Sequence, residues 1–140
     1  MRKLEDSAKR QKMSWFYEPK VQKNFLQGVE LGKQQYVAIA FNLLPLVDGA
    51  SSEDLDISLG KSITRAPQIF LSNLQVHYNS RERLDSLIGN LGPEYVDETA
   101  KKLTELRKRL TAIEKVNDPR LTKTKEVVIR ELKTQIDELN

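Results

Sequence analysis

The sequence predicts an all-α fold, a compact helical bundle of about six helices that ends in a long antiparallel helical hairpin. Three observations predict it. Apolar residues recur at spacings of three and four along most of the chain, most regularly from Val96 to Leu139. Proline, glycine and small polar residues punctuate those stretches, as at Gly32, Pro45, Ala66-Pro67, Gly89 and Pro119. Alternating apolar–polar runs of the kind a half-buried strand needs are weak throughout. The chain has 140 residues, 39% of them hydrophobic, which is one domain's worth. A domain of this size buries roughly 68–70% of the surface its unfolded chain exposes, so it needs no metal or disulfide to hold it together.

Residues 1–13 are mostly charged and polar and read as a solvated tail or a frayed helix. The first helix starts at Pro19, where proline suits the first turn. Val21, Phe25, Leu26 and Val29 give it one apolar face, and Gly32 stops it. Lys33–Leu44 is apolar nearly all round, which predicts the central buried helix. Pro45 and Asp48-Gly49 end it. Ser51-Ser52-Glu53-Asp54 reads as a capped helix start, with acids at the positive end of the helix dipole. Leu55, Leu59 and Ile63 follow at intervals of four. Ala66-Pro67 breaks that helix and starts another, carrying Ile69, Phe70, Leu71 and Leu74. Tyr78-Asn79-Ser80 is a turn, and Ser80 caps a short helix that Gly89 closes. From Glu94 to Val116, the series Val96, Thr99, Leu103, Leu106, Leu110 and Ile113 forms a heptad seam on a helix about 34 Å long. Asn117-Asp118-Pro119 makes the joint. Leu121, Val128, Ile129, Leu132, Ile136 and Leu139 line the returning helix, so residues 94–139 form the hairpin.

Composition excludes several chemistries. Without cysteine there is no disulfide framework, thiolate zinc site or cysteine nucleophile. One histidine, His77, leaves no multi-histidine metal cage. No apolar run approaches the length of a membrane span, and Met1–Lys12 lack the apolar core of a secretion signal. A cytoplasmic chain and an exported one whose leader has been removed both fit. Net charge is only +3, but it is segregated. Residues 1–23 carry 7 basic and 3 acidic groups, residues 24–98 carry 5 and 10, and residues 99–140 carry 11 and 7. The ends are basic and the middle is acidic, which steers charged partners differently at each region.

No motif with reactive potential has the spacing its chemistry requires. Leu59-Gly60-Lys61-Ser62 ends like a phosphate-binding loop, yet the glycine required five positions before Gly60 is Leu55. Of Asp48, Glu53, Asp54 and Asp56, only Asp54 and Asp56 have the alternating spacing of a calcium loop, and they fall in a helix turn where positions two apart diverge, so helix capping explains the group better. His77 has no nucleophile or orienting carboxylate placed beside it by spacing. The expectation is therefore a non-enzyme without cofactor or metal.

Two surfaces offer contacts instead. Trp15-Phe16-Tyr17 is the densest aromatic cluster, and such residues dominate binding hot spots. Glu53, Asp54 and Asp56 form an acidic patch. On the hairpin, Lys101, Lys108 and Lys115 share one outward heptad position, with Arg109 beside them and Lys123 on the next helix. That basic ridge would track phosphates or an acidic partner, although Glu98→Lys102 and Glu105→Arg109 spacings allow internal pairs. Residues 99–140 contain no aromatic side chain for stacking on bases, which weighs against nucleic acid.

The middle of the chain also carries Phe25-Leu26-Gln27-Gly28-Val29, Asp48-Gly49-Ala50, Leu55-Asp56-Ile57-Ser58-Leu59-Gly60, and Ala66-Pro67 followed by Leu71. In these segments, over about residues 24–120, it resembles a loosely defined set of small, uncharacterised bacterial helical proteins, many predicted to be exported. Members often carry a cysteine pair that this chain lacks. The resemblance implies no activity, so it carries over no catalytic residue. The expected function is binding of another protein, as an inhibitor, an immunity-type neutraliser or an adaptor. Trp15, Phe16 and Tyr17 would be the anchors, and Glu53, Asp54 and Asp56 the acidic contacts. The alternatives are nucleic-acid binding through Lys101, Lys108, Arg109, Lys115 and Lys123, and self-association through the hairpin seam.

Overall fold

The computed structural model describes residues 14–77 and 80–140. The tail expected over residues 1–13 and the Tyr78-Asn79 part of the expected turn lie outside the described residues. The described residues form seven α-helices and no strand, so the all-α expectation holds, with one helix more than the expected six. They are α1 (Pro19–Glu30), α2 (Gln34–Leu43), α3 (Gly49–Arg65), α4 (Pro67–His77), α5 (Arg81–Gly89), α6 (Thr99–Glu114) and α7 (Thr122–Leu139). Short 3₁₀ turns cover Ser14–Tyr17, Leu44–Leu46, Pro93–Tyr95 and Pro119–Leu121.

Local chemistry sets most boundaries where the sequence places them. Glu18 caps α1 by accepting from the Val21 N–H at 3.1 Å, with Pro19 in the first turn. Gly32 turns the chain into α2 at φ +75°, where a Cβ would come 2.5 Å from the Ala66 side chain. Ala66 alone separates α3 from α4. Ser80 caps α5, its hydroxyl accepting from the Arg83 N–H at 3.2 Å. Two starts differ. Helix α3 begins at Gly49, with Asp48 at the N-cap position and no side-chain cap, so Ser51 and Ser52 already lie inside it. Helix α6 begins at Thr99 rather than Glu94. Gly92 at φ +114° and Asp97 at φ +60° bend the chain twice around Pro93, and Val96 is left exposed instead of opening the seam.

The central helix is α3, not α2 as the apolar run predicts. Helix α3 packs against α1, α2, α4, α5 and α6. Its small residues explain this. Ser58, Gly60 and Ser62 are buried and let neighbouring backbones approach closely, while Leu55, Leu59 and Ile63 fill the core. The Ser62 hydroxyl is satisfied within the helix, donating to the Leu59 carbonyl at 2.6 Å. Helix α2 buries Val37, Ala40, Phe41 and Leu43 but leaves Tyr36 and Ile39 more than a third exposed.

Helices α6 and α7 form the expected hairpin. Lys102 and Leu106 near the start of α6 share a surface recess with Gln135 and Leu139 near the end of α7, and Lys125 at the start of α7 donates to the Val116 carbonyl at 2.8 Å. The pair is therefore antiparallel. Leu106, Ile113, Val128, Leu132 and Ile136 are buried, so the seam is filled within the chain. These residues join the other buried apolar side chains in one cluster running from Phe16 to Ile136.

Candidate functional site

The aromatic trio divides. Phe16 is fully buried and belongs to the core, so it is not an exposed anchor. Trp15 and Tyr17 remain 36% and 50% exposed. Trp15 meets Phe25 edge-on at 5.2 Å, and Phe25 meets Tyr36 edge-on at 5.7 Å, which fastens the Ser14–Tyr17 turn to α1 and α2. The Tyr36 ring itself lies over Gly28, leaving no room for a Cβ there.

The acidic patch divides as well. Glu53 and Asp54 face solvent near the start of α3. Asp56 is 4% exposed, because it pairs with Arg83 of α5 at 3.2 Å. Burial pushes the Asp56 carboxyl above its ordinary range, and Arg83 pulls it back. Asp56 is thus a tie between α3 and α5 rather than a surface contact.

In the basic ridge, Arg109 lies furthest from its expected place. It is 1% exposed, with Nε donating to Glu105 at 3.3 Å and Nη1 donating to the Ile88 carbonyl at 3.0 Å. The heptad assignment put it on the flank. The buried face of α6 runs through Leu106, Arg109 and Ile113, rotated to the Arg109 side of the assigned seam, and Gly60 leaves room for the guanidinium. Lys101, Lys108, Lys115 and Lys123 are exposed. Lys61 of the Gly-Lys-Ser segment lies in mid-helix and pairs with Glu30 at 3.8 Å and Glu94 at 3.3 Å, so no phosphate loop exists there. The His77 ring stacks on Phe41 at 5.7 Å. Among the described residues, no group of three acidic, histidine or cysteine side chains is arranged to hold a metal. No helix among them is long and apolar enough to cross a membrane.

The structure gathers the remaining cations into one feature. A recess of about 660 Å³ runs between α6 and the α3–α4 elbow. Arg107, Lys108 and Lys115 edge it, Thr64, Thr104 and Thr111 add hydroxyls, and Pro67 and Ala112 give it an apolar floor. Neighbouring recesses share its walls. One shares Thr104 and Lys108 and reaches Tyr95 and Lys101, with Glu94 and Glu105 in its wall. The other shares Pro67, Ala112 and Lys115 and reaches Ile69 and Val116. The result is one trough along α6. No carboxylate lines its central section. Among the described residues, Arg107, Lys108 and Lys115 form no ion pair, whereas Lys101 reaches Glu98 at 3.9 Å. The sequence signals Lys101, Lys108 and Lys115 by their common heptad position. It gives no sign of Thr64 and Pro67, which tertiary packing supplies, and Arg107 is hidden among charges of equal local appearance.

No protein-family model matches this chain, and neither curated proteins nor solved structures yielded a match.

Proposed function

We propose that this chain is a non-catalytic binding module that docks an acidic, helical segment of another protein in the α6 trough. The observation that supports the reading is the lining of the trough's central section, in which three unpaired cations rim an apolar floor and no acid is present, Glu94 and Glu105 lining only the end beyond Thr104. Cations left without partners on one face attract an anionic surface and repel a basic one. The apolar floor favours an amphipathic helix over a wholly solvated acidic tail. Helix α6 has 16 residues, about 24 Å, which matches a partner helix of four turns. Trp15 and Tyr17 are available as a second, aromatic contact, as are Glu53 and Asp54 for a basic one. An inhibitor, an immunity-type neutraliser or an adaptor would each use such a surface.

Nucleic acid is the competing occupant, because lysine, arginine and threonine side chains also bind phosphates. The trough has only Tyr95 near one end to stack on a base. Fluorescence anisotropy with a labelled amphipathic acidic peptide, about as long as α6, separates the two. Charge reversal at both Arg107 and Lys108 should weaken peptide binding at least about tenfold, mostly through a slower on-rate with a shallower salt dependence. Trp15→Ala should leave peptide binding nearly unchanged. A duplex or single-stranded oligonucleotide that binds more tightly than the peptide, with affinity falling steeply as salt rises, would transfer the trough to nucleic acid. Peptide binding indifferent to both reversals would remove the trough as the site.

A further inference from the structure

A second cavity lies where α2, α4 and α5 converge. It measures about 120 Å³, and its lining includes Phe41, Leu44, Leu74, His77, Arg83 and Leu87. We propose that it binds a small uncharged molecule, of five- or six-membered-ring size, which presents a carbonyl-type oxygen to Arg83. Its occupancy neither needs nor excludes a partner in the trough.

Size comes first. An apolar cavity of about 150 Å³ holds benzene, so this one suits a single small ring or a short branched chain. Its walls are polar and apolar in nearly equal measure, Leu44, Leu74 and Leu87 facing His77 and Arg83, and the Phe41 and His77 rings stack 12° from parallel to form one flat side. The polar chemistry is that of donors. Arg83 uses Nη1 alone, donating to Asp56 at 3.2 Å and to Ser52 at 3.4 Å. Its Nε and Nη2 have no partner among the described residues. No buried side-chain polar atom among the described residues lacks a partner, so these two nitrogens are reached by solvent on a side chain that is 34% exposed and lines the cavity. A guanidinium donates and never accepts, so the complementary ligand group is an acceptor oxygen.

Charge then selects between a carboxylate and a neutral oxygen. Asp56, almost fully buried, already balances Arg83, and Glu53 on the next turn of the same face adds further negative potential. A ligand carboxylate would be a second anion on one guanidinium, desolvated beside Asp56. A neutral oxygen gains the hydrogen bonds without that repulsion.

Methyl-labelled full-length protein titrated with cyclohexanone tests this, with cyclohexanecarboxylate as the charged counterpart. The expected result is saturable shifts of the Leu44, Leu74 and Leu87 methyls at low-millimolar cyclohexanone, in keeping with so few ligand atoms. The carboxylate should bind at least about tenfold more weakly. Leu87→Phe should fill the space and abolish the shifts. Arg83→Lys keeps a cation for Asp56 but loses the fork, and should weaken cyclohexanone binding about tenfold; this variant decides alone if Leu87→Phe melts non-cooperatively. Shifts that do not saturate, a carboxylate that binds as well as the ketone, or an Arg83→Lys protein that binds normally would overturn the proposal.

Discussion

Arg109 carries a cation into the interior where α3, α5 and α6 meet. Burial weakens its hold on its proton, and Glu105 one turn away opposes that effect. The guanidinium also caps the end of α5 by donating to the Ile88 carbonyl, one of the last-turn acceptors that a helix cannot satisfy itself. Gly60 makes the room. A Cβ there would come 2.6 Å from the Leu87 carbonyl oxygen and 2.8 Å from Arg109 Nη1. Arg109→Ala should therefore destabilise the fold by about 3 kcal/mol, since it leaves a cavity, an unpaired carbonyl and a lone Glu105. Arg109→Met should cost less because it keeps the volume. Gly60→Ala should cost about 1–3 kcal/mol through overpacking. Urea unfolding midpoints measure all three, and an Arg109→Ala protein as stable as the parent would show that the interior does not depend on this charge. None of this was legible in the sequence. Arg109 looks like any flank residue of a heptad, and Gly60 reads more readily as part of Gly-Lys-Ser than as a seat for a side chain from another helix.

At the scale of elements, most of the fold was legible because helix punctuation is local. Pro19, Gly32, Ala66-Pro67, Ser80, Gly89 and Pro119 all act within a few residues of where they stand, and each sits at a helix boundary or in a joint. The Ser80 cap offers a clean test, because the residue is exposed and its hydroxyl meets the Arg83 N–H. Ser80→Ala should cost about 1 kcal/mol and Ser80→Gly only a few tenths. Equal losses for the two would mean that the hydroxyl is not what holds the first turn of α5. Two features lie beyond such local signals. A helix start displaced to Thr99 depends on how Gly92 and Asp97 bend the backbone, and the primacy of α3 depends on which helix is narrow enough to be surrounded. Apolar content marked α2 as central, but small side chains, not large ones, decided the matter. The trough shows the same division. Its lysines were visible as a stripe along one helix, while the elbow opposite them exists only once α3 and α4 have folded against α6.

The molecule as a whole balances two sets of carboxyl groups against pH. Glu131 of α7 is 6% exposed and faces Asp85 and Arg81 of α5. Gln135 donates to both carboxyls, at 3.1 Å to Glu131 and 3.0 Å to Asp85. Burial raises the Glu131 carboxyl above its ordinary value of 4.5, and Asp85 adds to the rise, while Gln135 and Arg81 oppose it. Asp56 is raised too, chiefly by burial. Asp118 is held below its ordinary range by hydrogen bonds from Arg120, and Glu94 by a hydrogen bond from its own N–H. For the raised pair the folded state holds protons that the unfolded chain has already released. Their contribution is complete below the unfolded values and is lost as pH rises through the folded ones. For Asp118 and Glu94 the sign reverses, and their contribution is lost as pH falls through their lowered values. Stability should therefore pass through a maximum on the acid side of neutrality. Glu131→Gln isolates the descending limb. The amide oxygen can still accept from Gln135, and the ion pair given up is with an Arg81 side chain that is 77% exposed, so it is worth little. The variant should match the parent in acid and gain on it as pH rises above 4.5, because it no longer has a buried group to ionise. Urea midpoints measured from acid to neutral pH would reveal this as a growing difference between the two proteins. A difference that stays constant across that range would mean that Glu131 ionises in the fold as freely as it does in the unfolded chain.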